Sequence, residues 1–128
     1  MAKVSVLVDT DVFIDYFNSG RFSSLFDPAR ITVYYSVVTK KELLGKPGLR
    51  DSERQAILDE LRRCRMVKLT DAIVVRYSQL RDRYPSLEKA DALIAASALA
   101  KNLPLVTRNK KHFQIVAGLS VLGGPNDR

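Results

Sequence analysis

The chain has 128 residues, 46% of them hydrophobic and 27% charged, so it is long enough for one domain with a single hydrophobic core. Its 21 lysines and arginines outnumber its 14 aspartates and glutamates. The formal net charge of +7 favours a polyanionic partner, nucleic acid first and an acidic protein second, although a basic protein without such a partner has the same composition. One cysteine and one histidine exclude an intrachain disulfide and a zinc site of four soft ligands. We expect a single domain over residues 1–128, located in the cytoplasm, without a signal peptide or membrane span.

Hydrophobic patterning predicts strands that alternate with helices. Strands are predicted where β-branched and aromatic residues form short apolar runs, at 3–9, 31–35, 66–69, 105–107 and 119–122. Helices are predicted where apolar residues recur at helical spacing, at 12–17, 36–44, 51–64, 71–84 and 87–101. Shorter turns are expected at 22–26 and 109–113, and residues 123–128 are expected to form a flexible tail. This alternation favours parallel strand pairing, with helices covering both faces of the sheet.

Polar residues stand just after the predicted strands, where the sites of open parallel sheets gather. Asp9 ends the first strand, and Thr107 ends the fourth and is soon followed by Asn109. Glu42 lies in the helix that leaves the second strand, and Asp91 lies early in the helix before the fourth. These residues are the first candidates for a functional site.

Each acid also has a simpler explanation. Asp91 shares a predicted helix face with apolar residues, but a first-turn aspartate is also stabilised by the helix dipole, by about 0.3–1 kcal/mol. Asp9 would cap the helix that follows it, although Asp11 is the better-placed cap. Glu42 would pair with Lys46 at i,i+4, which is worth roughly 0.2–0.5 kcal/mol.

The three acids together make a stronger case than any one alone. Two carboxylates about 4 Å apart repel by about 4 kcal/mol at an effective dielectric of roughly 20, so a converging trio needs a cation or a bound proton. Oxygen ligands without a cysteine or histidine cluster indicate Mg²⁺ or Mn²⁺. Such ions lower the pKa of bound water and clamp phosphate oxygens, and the basic excess of the chain suits a phosphodiester substrate.

Four segments resemble, in order and spacing, the motifs of PIN-domain nucleases. VLVDTDVFID at residues 6–15 resembles the opening motif, and VVTKKELL at 37–44 resembles the second, with Glu42 as its acid. DALIAA at 91–96 is similar to the third motif and LVTRNKKHF at 105–113 to the fourth. Each motif is weak alone, whereas the ordered set is specific. The compact size favours the VapC-like toxins of toxin–antitoxin pairs.

The resemblance implies a three-layer α/β/α fold with a central, mostly parallel, five-stranded sheet. It also implies an endoribonuclease that depends on Mg²⁺ or Mn²⁺, in which metal-activated water hydrolyses the phosphodiester. Asp9, Glu42 and Asp91 would be the catalytic, metal-binding acids, supported by Thr10 and Thr107. The expected partners are RNA, a second copy of the chain in a homodimer, and an acidic antitoxin whose C-terminal segment occupies the groove.

Two positions depart from the family pattern. Many relatives carry asparagine where this chain has Asp11, which adds a supporting carboxylate near the site but is expected mainly to cap the helix. Many also carry an acid in the fourth motif, where this chain has Asn109 and His112, and no Asp or Glu occurs between Asp91 and Asp127. Asn109 is expected to act in the site through its side-chain oxygen, as a weak metal ligand or by holding a metal-bound water. The missing acid weakens the expectation of a second metal.

The cations near the acids are candidates for contacts to RNA phosphates, or else form a solvated basic rim. They are Arg108, Lys110 and Lys111 in the fourth motif, and Lys40 and Lys41 in the second. His112 could transfer protons, but a lone histidine without a visible partner is more simply a surface residue.

The aromatic residues suggest packing rather than base stacking. Tyr34, Tyr35, Tyr77 and Tyr84 are expected in the core or in a dimer contact. Phe13, Phe17, Phe22 and Phe26 could form an exposed apolar patch for self-association.

Two other classes of function compete with the nuclease. A catalytically weak or dead module would bind RNA or a partner peptide in the same cleft, and the absent fourth acid is its only support. A phosphoacceptor domain of the receiver type would need an aspartate at the end of a middle strand. No aspartate ends the predicted second strand, so this alternative is the weaker one.

Overall fold

Five parallel strands form one sheet in the order β3-β2-β1-β4-β5 in the structure, a computed structural model that describes residues 3–123. The strands are β1 (Val4–Val8), β2 (Ile31–Ser36), β3 (Arg65–Val67), β4 (Leu105–Val106) and β5 (Val121–Leu122). The helices are α1 (Thr10–Ser19), α2 (Val37–Leu44), α3 (Asp51–Arg62), α4 (Asp71–Arg83), α5 (Lys89–Lys101) and α6 (Lys110–Phe113), with a 3-10 helix at Ser23–Phe26. Within these residues no helix has the length and apolar character needed to cross a membrane. The predicted tail at 123–128 lies, apart from Gly123, outside the described residues.

The two faces of the sheet carry separate hydrophobic cores. Successive residues of a strand point to opposite faces, so Val6 and Val8 enter one core and Leu7 the other. The first core holds the apolar faces of α1 and α3, and the second holds α5 and the buried side of α4. Helices therefore cover both faces of the sheet, which confirms the predicted three-layer α/β/α fold.

The phenylalanines near the N-terminus form the core and not an exposed patch, so that prediction is wrong. Phe13 and Phe22 are fully buried and Phe26 is 8% exposed, while Phe17 packs partly buried against them. The Phe13 ring lies 5.2 Å from the Phe26 ring and 6.2 Å from that of Tyr35. These rings lie in the core that α1 shares with β1 and β2. The tyrosines are buried or partly buried in the two cores, in agreement with core packing.

Two helix caps differ from those that the sequence predicts. The sequence offers Thr10 or Asp11 as the cap of α1, but α1 is capped by Asp9, whose Oδ1 accepts a hydrogen bond from the Thr10 N–H at 2.8 Å. Helix α3 begins at residue 51 as predicted, but its capping box does not use Ser52 and Gln55, which have the spacing of one. Its cap is Arg50, whose N–H donates to the Glu53 carboxylate at 3.1 Å. Local sequence permits several caps at each start, and contacts of the folded chain select one of them.

We predict that Phe13→Ala lowers the free energy of unfolding by about 3–5 kcal/mol, because it empties a fully buried site between α1 and the sheet. The neighbouring Ile14→Ala is the control, since Ile14 is 41% exposed and its loss is expected to change stability by about 0.5 kcal/mol. Urea denaturation measures both. Equal effects of the two variants would contradict the placement of Phe13 in the core.

Candidate active site

Asp9 is fixed at the carboxyl end of β1 by its neighbour strand. Its backbone N–H donates to the Val106 carbonyl at 2.9 Å, and its Oδ2 accepts a hydrogen bond from the Thr107 hydroxyl at 2.7 Å. Thr107 follows β4, and β1 and β4 are adjacent parallel strands, so residues 98 positions apart meet at one edge of the sheet. The carboxylate of Asp9 is 4% exposed and Thr107 is fully buried. Asp9 is thus held in one orientation.

The charge of Asp9 is disfavoured in the fold. The pKa of its carboxyl is raised to about 6, first by burial and also by the nearby charges of Asp11 and Asp91, against the opposing hydrogen bonds from Thr107 and Thr10. A carboxylate with this environment favours either a proton or a cation beside it. Neutral donors orient it without neutralising it.

Asp91 projects from the first turn of α5 toward the same edge. It is half-buried, and burial raises the pKa of its carboxyl, followed by the charge of Glu88; Asp11 and Glu42 act in the same direction. The Nδ1 of His112 lies 3.9 Å from its Oδ2 and opposes the shift. Asp91 therefore occupies both predicted settings at once, the first turn of a helix and a cluster of acids.

Glu42 is oriented by two threonines and not by Lys46. The Thr10 hydroxyl donates to Glu42 Oε1 at 2.8 Å, and the Thr10 and Thr39 hydroxyl oxygens lie 2.9 Å apart. Because the single hydroxyl proton of Thr10 goes to Glu42, Thr39 donates to Thr10. This chain of hydrogen bonds connects the start of α1 to α2, and both threonines are buried. The simpler explanation of Glu42 as a surface partner of Lys46 is wrong.

Asp11 faces Asn109. Its Oδ2 accepts a hydrogen bond from the Asn109 side-chain Nδ2 at 2.7 Å, and the Asn109 backbone N–H donates to the Thr107 hydroxyl oxygen at 3.0 Å. Asn109 lies just before α6, and its side-chain amide is directed at the carboxylate of Asp11. The end of β4 thereby holds two acids, Asp9 through Thr107 and Asp11 through Asn109.

The sequence matches the profile of the PIN domain over residues 6–119. The chain belongs to the PIN domain family. It is 33% identical over 114 residues to a protein named Ribonuclease VapC1 from Methanocaldococcus jannaschii, an alignment that covers 85% of this chain and 79% of that protein. The resemblance read from the four motifs is therefore confirmed.

Two solved structures share the fold. A toxin–antitoxin complex from Klebsiella pneumoniae contains a chain with 28% identity and a TM-score of 0.76, over 91% of this chain and 95% of that one. A chain in the structure of VapBC2 from Rickettsia felis, bound to a DNA fragment from the VapBC2 promoter, has a TM-score of 0.81 and 21% identity, over 93% of this chain and 98% of that one. At this identity the comparison with VapBC2 shows only that the two chains share a fold.

The donor set suits a hard divalent ion, although the acids do not form a closed cage. Among residues 3–123, no three His, Cys, Asp or Glu side chains lie close enough together to hold a metal ion as they stand. Mg²⁺ commonly keeps several waters and takes only one or two carboxylates together with substrate phosphates, so an open array of acids fits it. The arginine ion pairs of the described residues go to Asp15, Glu53, Asp59 and Glu60, which leaves Asp9, Asp11 and Glu42 outside them.

The predicted cations differ in their positions. Lys111 and His112 line a cavity of about 390 Å³ together with Asp91. The other residues that line this cavity are Ser86, Leu87, Glu88 and Ile115. Arg108 is exposed and pairs with Asp15, with 3.2 Å between Nη1 and Oδ1. Lys41 and Lys110 are exposed and Lys40 is half-buried. The position of His112 beside Asp91 gives it a carboxylate neighbour that its sequence context did not reveal.

Sequence reasoning missed three residues at this edge. Thr39 orients Thr10, Glu88 raises the pKa of Asp91, and Asp15 pairs with Arg108. Thr39 was detectable in principle, since it lies on the same face of α2 as Glu42, at i−3. Glu88 was detectable in the same way, since it lies at i−3 from Asp91 at the start of α5. The contact of Asp15 with Arg108 depends on how the β4–α6 loop packs, which no local pattern specifies.

We predict that Asp9→Asn raises the free energy of unfolding of the metal-free protein at pH 7.5 by about 1–3 kcal/mol. Each unit by which the fold raises the pKa of Asp9 costs about 1.4 kcal/mol when the carboxyl is charged, and the variant removes this cost. The altered hydrogen bond to Thr107 reduces the gain. The folded pKa of Asp9, about 6, lies above that of the unfolded chain, so the native state binds the proton more tightly. Stability of the wild type is then highest below the unfolded pKa and falls as the pH rises to about 6.

Urea denaturation in EDTA at pH 4 and pH 7.5 tests this sign. The variant is expected to exceed the wild type only at the higher pH. Asp59→Asn, at a side chain that is 53% exposed, is the control and is expected to show no such difference. A loss of stability in Asp9→Asn at pH 7.5 would contradict the raised pKa.

Proposed function

We propose that the chain is a Mg²⁺- or Mn²⁺-dependent endoribonuclease and the toxin of a toxin–antitoxin pair. The observation that supports the proposal is that Asp9, Glu42 and Asp91 are near enough for Asp91 to raise the pKa of Asp9 and for Glu42 to raise the pKa of Asp91, while neutral groups orient Asp9 and Glu42. Among residues 3–123 none of the three acids forms an ion pair with arginine. The name of the archaeal relative, Ribonuclease VapC1, supports RNA as the substrate. Hydrolysis of RNA would take place in the cytoplasm.

Asp9, Glu42 and Asp91 are the residues that would hold the metal. A bound divalent ion lowers the pKa of water and offsets the charge of the phosphate. The chain itself supplies orientation: Thr107 fixes Asp9, and Thr10 fixes Glu42. Lys111, at the cavity beside Asp91, is placed to contact a phosphate of the bound strand.

An antitoxin is the proposed protein partner. The chains similar to this one in the Klebsiella pneumoniae and Rickettsia felis structures belong to a toxin–antitoxin complex and a VapBC complex. The net charge of +7 favours an acidic partner, and a segment of that partner in the cleft would compete with RNA for Lys111 and its neighbours.

We also propose that the chain forms the homodimer that its family resemblance implies, through a surface other than the phenylalanines. Four of the eight large hydrophobic side chains that are most exposed in the described structure lie within residues 66–75. They are Met66, Leu69, Val74 and Val75. These four side chains are close along the chain, and exposed apolar side chains that form one patch are typical of an interface.

Cleavage of single-stranded RNA is expected to require Mg²⁺ or Mn²⁺ and to fall at least about 100-fold in Asp9→Asn and in Asp91→Asn, because each removes a charge that holds the ion. Gel analysis of fluorescently labelled RNA, with and without EDTA, measures the rate. Asp59→Asn is the matched control, since it removes the same charge from the exposed side of α3.

Intact RNA after incubation with folded wild type and excess metal, over several substrates, would overturn the nuclease. If the same protein binds RNA in a salt-sensitive manner in EDTA, the binding module takes its place. Cleavage that persists in Asp9→Asn would refute the assigned site.

The dimer is tested by Val75→Lys, which places a charge on a side chain that is 57% exposed in α4. Light scattering at micromolar concentration is expected to show a dimer for the wild type and a monomer for the variant. Ser52→Lys on α3, on the other side of the sheet, should remain dimeric. A wild-type monomer, or a dimer in both variants, would contradict this interface.

A further inference from the structure

Asp11 has a position that capping does not explain. Asp9 already caps α1, so the carboxylate of Asp11 is not needed at the helix start. It is half-buried, and it turns to Asn109, a residue 98 positions away along the chain. Its Oδ2 accepts the Asn109 amide at 2.7 Å, and its Oδ1 receives no hydrogen bond from residues 3–123. One oxygen is therefore anchored and the other is available.

Asn109 is itself anchored to the group that fixes Asp9. Its backbone N–H donates to the Thr107 hydroxyl oxygen, and that hydroxyl donates to Asp9. The hydrogen bonds run from Asp9 through Thr107 and Asn109 to Asp11. Two acids are thus tied to one another by neutral groups from the end of β4, and a shift of either would disturb the other.

The charge of Asp11 acts on the proposed metal ligands on both sides. It raises the pKa of Asp9 and also that of Asp91, so its carboxylate lies near both. Asp15, one turn later on α1, offers a contrast. Its carboxylate pairs with Arg21 at 3.5 Å and with Arg108 at 3.2 Å. The same helix carries one aspartate in ion pairs and one whose hydrogen-bond partner is an uncharged amide.

The Asp11–Asn109 contact also constrains which residues can face each other there. A second carboxylate at 109 would stand against Asp11 at hydrogen-bond distance, and the two would repel or share a proton. An amide at one of the two positions removes that repulsion. The hydrogen bond itself is indifferent to which position carries the amide, since donor and acceptor exchange when the residues do.

We propose that Asp11 is a further acid of the metal site, that Asn109 is the positioning residue that holds it, and that the two side chains are interchangeable as a pair. This inference rests on the proposed function, because it adds a residue to the same site. Asn109 then stands where many relatives carry an acid, and Asp11, its hydrogen-bond partner, supplies the carboxylate instead. The absence of an acid in the fourth motif is compensated by Asp11.

The experiment compares Asp11→Asn with the exchanged double variant Asp11→Asn/Asn109→Asp. Calorimetric titration with Mn²⁺, at a pH where the wild type binds, gives the affinity without reference to activity. Asp11→Asn is expected to weaken Mn²⁺ binding by about 10–100-fold. The double variant is expected to return to within about fivefold of the wild type, because it restores both the charge and the hydrogen bond.

Asp59→Asn is the matched control, since it removes the same charge from α3 and is expected to change Mn²⁺ affinity by less than about twofold. Thermal unfolding in EDTA establishes that each variant is folded. RNA cleavage by the same set is expected to follow the order of the Mn²⁺ affinities.

The outcomes separate this inference from the proposed function. Wild type that binds Mn²⁺ and cleaves RNA, with Asp11→Asn unchanged in both, overturns the role of Asp11 and leaves the nuclease intact. A folded double variant that stays as weak as Asp11→Asn overturns the interchange. A wild type that neither binds Mn²⁺ nor cleaves RNA overturns both proposals.

Discussion

The hydrogen bond between Thr107 and Asp9 is the contact on which the site depends. It joins residues 98 positions apart at 2.7 Å, and it exists because β1 and β4 are adjacent parallel strands whose carboxyl ends meet. Thr107 donates to Asp9 and accepts from the backbone of Asn109, which in turn holds Asp11. A shift of β4 by one residue would therefore displace two acids together.

The fold maintains this arrangement although burial raises the pKa of Asp9 to about 6, which means that the metal-free protein keeps a carboxylate where its charge is unfavourable. Such a local cost is typical of a functional position rather than of a stabilising one.

The architecture and the position of the acids could be predicted from the sequence because both follow from short-range patterns. The apolar run before Asp9 identifies a buried strand, and a polar residue that ends such a strand must lie at the edge where sites of parallel sheets form. Glu42 and Asp91 were candidates from their positions next to the predicted strands, and the PIN resemblance, now confirmed, supported them by the order and spacing of the motifs. The roles of these acids as metal ligands stay a prediction.

What the sequence could not supply was which of two neighbouring acids caps α1. Asp9 and Asp11 are both good caps, and the choice is made by Thr107, far along the chain. The phenylalanines failed for a related reason: their spacing describes an apolar face, but only the packing of α1 on the sheet decides whether it is covered.

The two departures from the family pattern become one when the contact between Asp11 and Asn109 is considered. Taken separately, an additional acid in the first motif and a missing acid in the fourth suggest a crowded site at one end and a weakened site at the other. The structure brings the two positions to 2.7 Å, so a charge gained at one is a charge lost from the other within the same small volume. The number of carboxylates at the edge is then unchanged. The support that the missing acid gave to a catalytically dead module is correspondingly smaller.

Every hydrogen bond that orients Asp9, Glu42 or Asp11 comes from a neutral group, whereas Asp91 faces the His112 ring at 3.9 Å. Thr107 and the Thr10 N–H hold Asp9, Thr10 and Thr39 hold Glu42, and the Asn109 amide holds Asp11. Arginine would fix a carboxylate more strongly, but it would also satisfy the charge, and a satisfied carboxylate has little to offer a cation. The chain pairs arginine with acids elsewhere, at Asp15, Asp59 and Glu60. Hydroxyl and amide donors fix geometry while leaving the negative potential in place. Asp9, Glu42 and Asp11 therefore keep a charge that a cation can use, which the arginine-paired acids do not.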